Sequence, residues 1–94
     1  MKLPDYIASE GALSQSALCR LIGAHPPDMS RWVSGDRPIP ADKCALIEFH
    51  TGGLSTCEEN MPGLVWLRVR DRKWPHPHGR PTLDVARTSE SAAA

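Results

Sequence analysis

The chain has 94 residues, 40% of them hydrophobic, and its 11 basic and 11 acidic side chains cancel to no net charge. That length supports one domain with a modest core, and the zero balance speaks against a binder that holds nucleic acid by global attraction, so any DNA affinity must come from local placement of Arg and Lys. No apolar run approaches the roughly 20 residues of a membrane span, and residues 1–13 lack the apolar core of a signal peptide, so residence in the cytosol is expected.

Taken in order, Pro4 and Asp5 fit a first helical turn, where a missing N–H and a carboxylate are both tolerated. Tyr6 and Ile7 can pack inward, Gly11 ends this helix, and Leu13 can staple the next. Ser14 is a good N-cap for a second helix whose Leu18, Leu21 and Ile22 form one apolar stripe, stopped by Gly23. A third pattern follows at once. His25 stands at its cap, Pro26 or Pro27 at its first position, Met29, Trp32 and Val33 on its inner face, and Gly35 at its close. Two helices joined by about three residues match the geometry in which the second projects into a major groove. An ordinary helical bundle also contains such pairs. The register adds to the motif: with Gln15 first, small Cys19 falls at the helix crossing, Gly23 in the turn, and Leu18, Ile22, Ala24, Met29 and Trp32 at buried positions.

Asp36 to Pro38 read as a loop, Pro40 as the entry to a helix running to His50, with Cys44, Leu46 and Ile47 near one face, and Gly52 and Gly53 as its stop. A short helix over Thr56 to Asn60 is capped by Ser55 or Thr56 and ended by Pro62 and Gly63. The period then changes to two. Val65, Leu67 and Val69 alternate with Trp66, Arg68 and Arg70, which predicts a strand with one apolar and one basic face. A lone strand is unstable, so it must pair, either in a hairpin through the Pro75 to Gly79 turn with a run at Thr82 to Ala86, or with the same strand of a second subunit. The expected organisation is a helix-turn-helix domain over 1–62, a strand or hairpin extension over 63–87 with Val65, Leu67 and Val69 as candidate dimerisation residues, and a disordered tail over 88–94.

On the helix-turn-helix reading, the side chains that face the groove are His25, Pro26, Pro27, Ser30, Arg31 and Ser34. Arg31 alone has a rigid fork of donors for guanine O6 and N7. Gln15 can reach a phosphate beside the free N–H groups of its own helix, and Arg37 and Lys43 flank the unit as phosphate contacts. From Trp66 to Arg80, the five bases Arg68, Arg70, Arg72, Lys73 and Arg80 face one acid, Asp71, which makes either a second DNA surface or a solvated strand edge. His76 and His78 lack a third ligand at metal-site spacing. Cys19, Cys44 and Cys57 have no CxxC spacing and an odd count, which suits small reduced core residues. No paired carboxylates, phosphate loop or Ser/His/Asp arrangement appears, so neither catalysis nor a cofactor or metal is expected.

The segment from about Ala12 to Gly53 resembles the YdaS-like antitoxin family, related to the Cro-type repressors of phages and prophages. Three features carry the resemblance: WxxG at Trp32 to Gly35, RPIP at Arg37 to Pro40, and IE…TGG at Ile47, Glu48 and Thr51 to Gly53. It implies a mainly α, five-helix, lambda-repressor-like helix-turn-helix bundle with a C-terminal strand or hairpin. It also implies a bacterial or phage cytoplasmic, nucleoid-associated transcription factor that binds double-stranded operator DNA as a homodimer, encoded beside a toxin-like or regulatory gene. Pro26 and Pro27 depart from the pattern, since those positions often carry polar base readers. The alternative function is a protein-interaction module or antitoxin that uses the same scaffold to neutralise a toxin-like protein partner.

Overall fold

Along residues 1–84, the part of the chain described in the computed structural model, five helices are followed by two strands. The helices are α1 (Leu3–Ala8), α2 (Gln15–Leu21), α3 (Pro26–Ser34), α4 (Ala41–His50) and α5 (Cys57–Asn60). The strands β1 (Trp66–Val69) and β2 (Arg80–Leu83) pair antiparallel, with Trp66 opposite Leu83 and Val69 opposite Arg80. The expected mainly helical architecture with a terminal hairpin is therefore present among the described residues. The expected tail over 88–94, and residues 85–87 of the extension, lie outside them.

The local signals explain where the helices begin. The Ser14 side chain accepts from the Ala17 N–H at 3.1 Å, which satisfies one of the free donors at the start of α2. Thr56 and Glu59 form a reciprocal capping box around the first turn of α5, so that helix starts at Cys57 and Thr56 is its cap. α1 ends at Ala8, short of the expected Gly11, because the Ser9 backbone turns extended and both its N–H and its hydroxyl donate to the Tyr6 carbonyl.

Packing is organised by one apolar cluster. Leu3 and Tyr6 from α1, Leu18 and Ile22 from α2, Met29 and Trp32 from α3, Ile39, Cys44 and Ile47 around α4, and Cys57 from α5 are all buried in it. Each fully buried aliphatic or aromatic side chain of this kind contributes about 1.5–3 kcal/mol. Leu21 corrects the expected stripe: it is 50% exposed, because Leu18 and Ile22, four residues apart, fill the inner face of α2 and Leu21 stands at the edge of that face.

The hairpin is one of the two pairings expected for the strand. Its strands pair within the chain, and the inward face of β1 carries Trp66 and Arg68, whereas Leu67 and Val69 are 47% and 40% exposed. The period of two identifies two faces without saying which turns inward. Here the inner face has specific partners: the Trp66 indole donates to the Met61 carbonyl at 3.1 Å, and Arg68 meets a buried carboxylate on α4. Gly79 closes the hairpin at φ +96°, and a Cβ there would stand 1.9 Å from the Val69 carbonyl oxygen, so only glycine fits.

Candidate nucleic-acid interface

The turn between α2 and α3 is held by its own backbone. Ala24 N–H donates to the Cys19 carbonyl at 3.0 Å and Gly23 N–H to the Arg20 carbonyl at 3.2 Å, with Gly23 in the left-handed region at φ +68°, a conformation that closes a helix most cheaply with glycine. The Cys19 thiol reaches the Ala24 carbonyl at 3.1 Å, and Lys43 Nζ donates to the Ile22 carbonyl at 2.9 Å. The crossing angle of the two helices is thus fixed by small-residue contact at Cys19 and by hydrogen bonds at the turn. At the other end of the crossing, Gln15 Nε2 donates to Ser30 Oγ at 3.2 Å.

This packing divides α3 into two faces. Met29 and Trp32 are buried, while His25, Pro26, Pro27, Ser30, Arg31 and Ser34 are exposed on the other side, and Gln15 is half-buried beside them. Gln15, Ser16, Arg20, Pro26 and Ser30 line a shallow groove of about 400 Å³ between the two helices. Ser16 and Arg20 are the members of this surface that the sequence reading missed. Their spacing of four residues places both on one face of α2, and the groove lining shows that this face borders α3.

Two chemical consequences follow for the start of α3. His25 occupies the cap position without a side-chain cap bond, and Pro26 and Pro27 supply no N–H, so this helix end is poor in backbone donors for an anion. The donors and acceptors this face offers are therefore side chains: the Arg31 fork, the Ser30 and Ser34 hydroxyls and the His25 ring. The Arg31 carbonyl accepts from Asp36 N–H at 2.9 Å and Arg37 N–H at 3.3 Å, which folds the loop back on the end of α3 and brings exposed Arg37 next to that face. Lys43 is half-buried, and its ammonium donates to the Ile22 carbonyl at the end of α2, which braces that helix end.

The basic segment is divided differently from its appearance in the sequence. Arg68 makes two contacts of 2.6 Å with the two oxygens of Glu48, which is fully buried, and also pairs with Glu58. Glu48 further accepts from Trp74 Nε1 at 2.6 Å and from the Cys57 N–H at 3.1 Å. Burial by itself would raise the Glu48 carboxyl, but the hydrogen bonds from Arg68, Trp74 and Cys57 outweigh it and hold the group below the usual carboxylate range. Arg68 is correspondingly held charged: its burial is outweighed by Glu48 and Glu58. One buried carboxylate therefore ties α4, α5, β1 and the loop after β1 together.

The three cysteines are buried and unpaired with each other. Burial, reinforced by Asp42 and Glu48, pushes the Cys44 thiol up to about 12, and burial followed by the Glu48 charge pushes Cys57 up as well, so these two stay protonated as expected of core residues. The His76 and His78 rings lie tilted to one another with centres 5.6 Å apart, and among the described residues no three His, Cys, Asp or Glu side chains converge as a metal site. Among the same residues no helix is long and apolar enough to cross a membrane.

The chain is similar to the "Putative transcriptional regulator YdaS" of Escherichia coli (strain K12), with 43% identity over 56 residues, which is 60% of this chain and 57% of that protein. The match supports the YdaS-like resemblance that rests on Trp32 to Gly35, Arg37 to Pro40 and Ile47 to Gly53. The chain spans little more than half the length of that relative. No protein-family profile matches it, and no solved structure matches it.

Proposed function

We propose that the protein is a transcriptional regulator without catalytic activity, a repressor of the Cro or antitoxin type, that binds operator DNA by placing α3 of an α2–turn–α3 helix-turn-helix in the major groove. The observation that carries this reading is the two-faced α3: Met29 and Trp32 seat it in the core while Ser30, Arg31 and Ser34 stand exposed along the opposite side. Similarity to a protein named as a transcriptional regulator supports the same reading. Arg31 makes the base contact, Ser30, Ser34 and His25 add hydrogen bonds at base edges or phosphates, and the Pro26 and Pro27 rings supply apolar contact. Gln15 and Arg37, with Arg20 added from the structure, hold the backbone. Lys43 contributes to binding mainly by bracing α2.

The operator-bound form is a homodimer, because one such helix presents only three or four readers and a second copy one DNA turn away doubles them. Leu67 and Val69, exposed side by side on the outer face of β1 with Val65 at its edge, are the surface proposed to pair. The functional setting is the bacterial cytoplasm or nucleoid. Replacing Arg31 with Ala is expected to weaken operator binding by about 1–3 kcal/mol more than binding to random DNA, measured by fluorescence anisotropy at fixed salt. Equal losses on both DNAs would remove Arg31 from base recognition.

A further inference from the structure

We propose that the loop between the two strands of the hairpin, residues 70–79, forms a phosphate-binding cleft that takes a backbone phosphate of duplex DNA, apart from the bases facing α3. The proposal rests on the DNA-binding reading above, but its residues and its test are separate from those of α3.

The starting point is what Arg68 no longer offers. With Arg68 committed to Glu48 and Glu58, the loop keeps Arg70, Arg72, Lys73 and Arg80 against Asp71, a local excess of three positive charges. Arg70, Arg72 and Lys73 are exposed, and none of them pairs with a carboxylate among the described residues. Arg70, Asp71, Arg72, Trp74 and His76 line a concave cleft of about 460 Å³. The one acid in its wall is already occupied: one Asp71 oxygen accepts the Lys73 N–H at 2.9 Å and the other lies 4.0 Å from Arg80 Nε. Asp71 thus shapes the turn, and Arg80 offsets its charge.

The remaining wall groups are donors. His76 Nδ1 accepts from the His78 N–H at 3.1 Å, which places the ring proton on Nε2 and makes that atom a donor. Two guanidinium forks beside it suit the tetrahedral oxygens of a phosphate, which they can hold bidentately. The loop that carries them is anchored. Trp74 donates to buried Glu48 and packs on Phe49 with ring centres 5.1 Å apart, and the Gly53 backbone lies so close under Pro75 that a Cβ there would be 2.6 Å from the Pro75 carbonyl oxygen. Cations fixed on a braced loop lose less freedom on meeting an anion than the same cations on a free one. Duplex DNA fits the site better than an acidic peptide because it presents phosphates at close, regular spacing, about one charge per 1.7 Å of its axis.

The test uses the full chain and the double variant Arg70→Gln, Arg72→Gln on a short random-sequence duplex and on the DNA upstream of the gene, each across a salt series. Both arginines are exposed and, among the described residues, without ion pairs, so the fold is expected to persist, which the indole NMR signals of Trp66 and Trp74 check. The expected result is a several-fold loss of affinity, equal on both DNAs, with the salt dependence shallower by about one unit of slope per protein copy bound. An unchanged slope and affinity would overturn the proposal. So would wild-type protein that binds polyglutamate as tightly as the duplex and loses both alike in the variant, since the loop would then be a general polyanion surface. A wild type with no preference for the upstream DNA would count against α3 as a reader, while the slope difference on random duplex would still decide the cleft.

Discussion

The α2–α3 pair and the hairpin are held in opposite ways. Leu18, Ile22, Met29 and Trp32 seat the helical pair through apolar contacts made mostly within one short stretch of sequence, and the turn closes through neighbouring backbone groups. The hairpin, with Leu67 and Val69 facing outward, is attached through polar contacts to a carboxylate 20 residues before Arg68 and 26 before Trp74. Apolar packing tolerates gradual loss, whereas a buried charge without its partner does not. The first region should therefore degrade in steps, and the second should fail as a unit.

The largest effect is expected from Arg68→Met, which leaves Glu48 charged and buried without its main partner. A cost of about 3–5 kcal/mol is expected, with the Trp74 indole signal leaving its native position before that of Trp32. A loss under about 1 kcal/mol in urea unfolding would mean that water reaches Glu48 and that the attachment is weaker than its geometry. Leu18→Ala, in the other region, should cost about 2–5 kcal/mol and displace the Trp32 and Trp66 signals together, because the cavity lies in the shared core. A Trp32 signal that moved alone would divide the core in two.

Acidity separates the regions without any substitution. Because the folded Glu48 carboxyl sits below its ordinary value of 4.5, its contribution is complete above that pH and is lost as the pH falls through the lower folded value. The hairpin should loosen first on the acid side. Cys44 behaves with the opposite sign: its folded value of about 12 lies above the ordinary 9.0, so its contribution holds below pH 9 and disappears between about pH 9 and 12, in the helical core. Simultaneous loss of all three Trp signals at both extremes would contradict this division. A smaller effect is expected from Leu67→Lys with Val69→Lys, which should leave the fold intact and shift the mass in solution toward monomer by light scattering. Deleting residues 64–94 is a poorer probe of assembly, since it also strips Glu48 of Arg68 and Trp74.

The same contrast explains which features are legible in the sequence. Ser14, Gly23, Gly35 and the Met29 to Trp32 spacing mark the ends and inner face of α2 and α3 because caps and stripes act over three or four residues. Leu21 shows the limit of that logic, as a stripe of three apolar positions does not say which one the neighbour leaves uncovered. For the hairpin, alternation marks a strand with one apolar and one basic face but does not say which of them turns inward. The deciding partner, Glu48, lies on a helix where a lone glutamate looks like any surface charge, and only its place in the IE…TGG pattern set it apart. The Lys43 contact is hidden from the sequence for the same reason: its carbonyl partner, Ile22, lies 21 residues away.

The most direct test of the central claim, that α3 reads sequence from a scaffold braced elsewhere, is wild-type binding to the intergenic DNA upstream of its own gene against random DNA of equal length across a salt series. The preference for the upstream fragment is expected to persist as salt rises and phosphate attraction fades. Binding that vanished equally on both fragments would contradict it, and would move the function to capture of a protein partner.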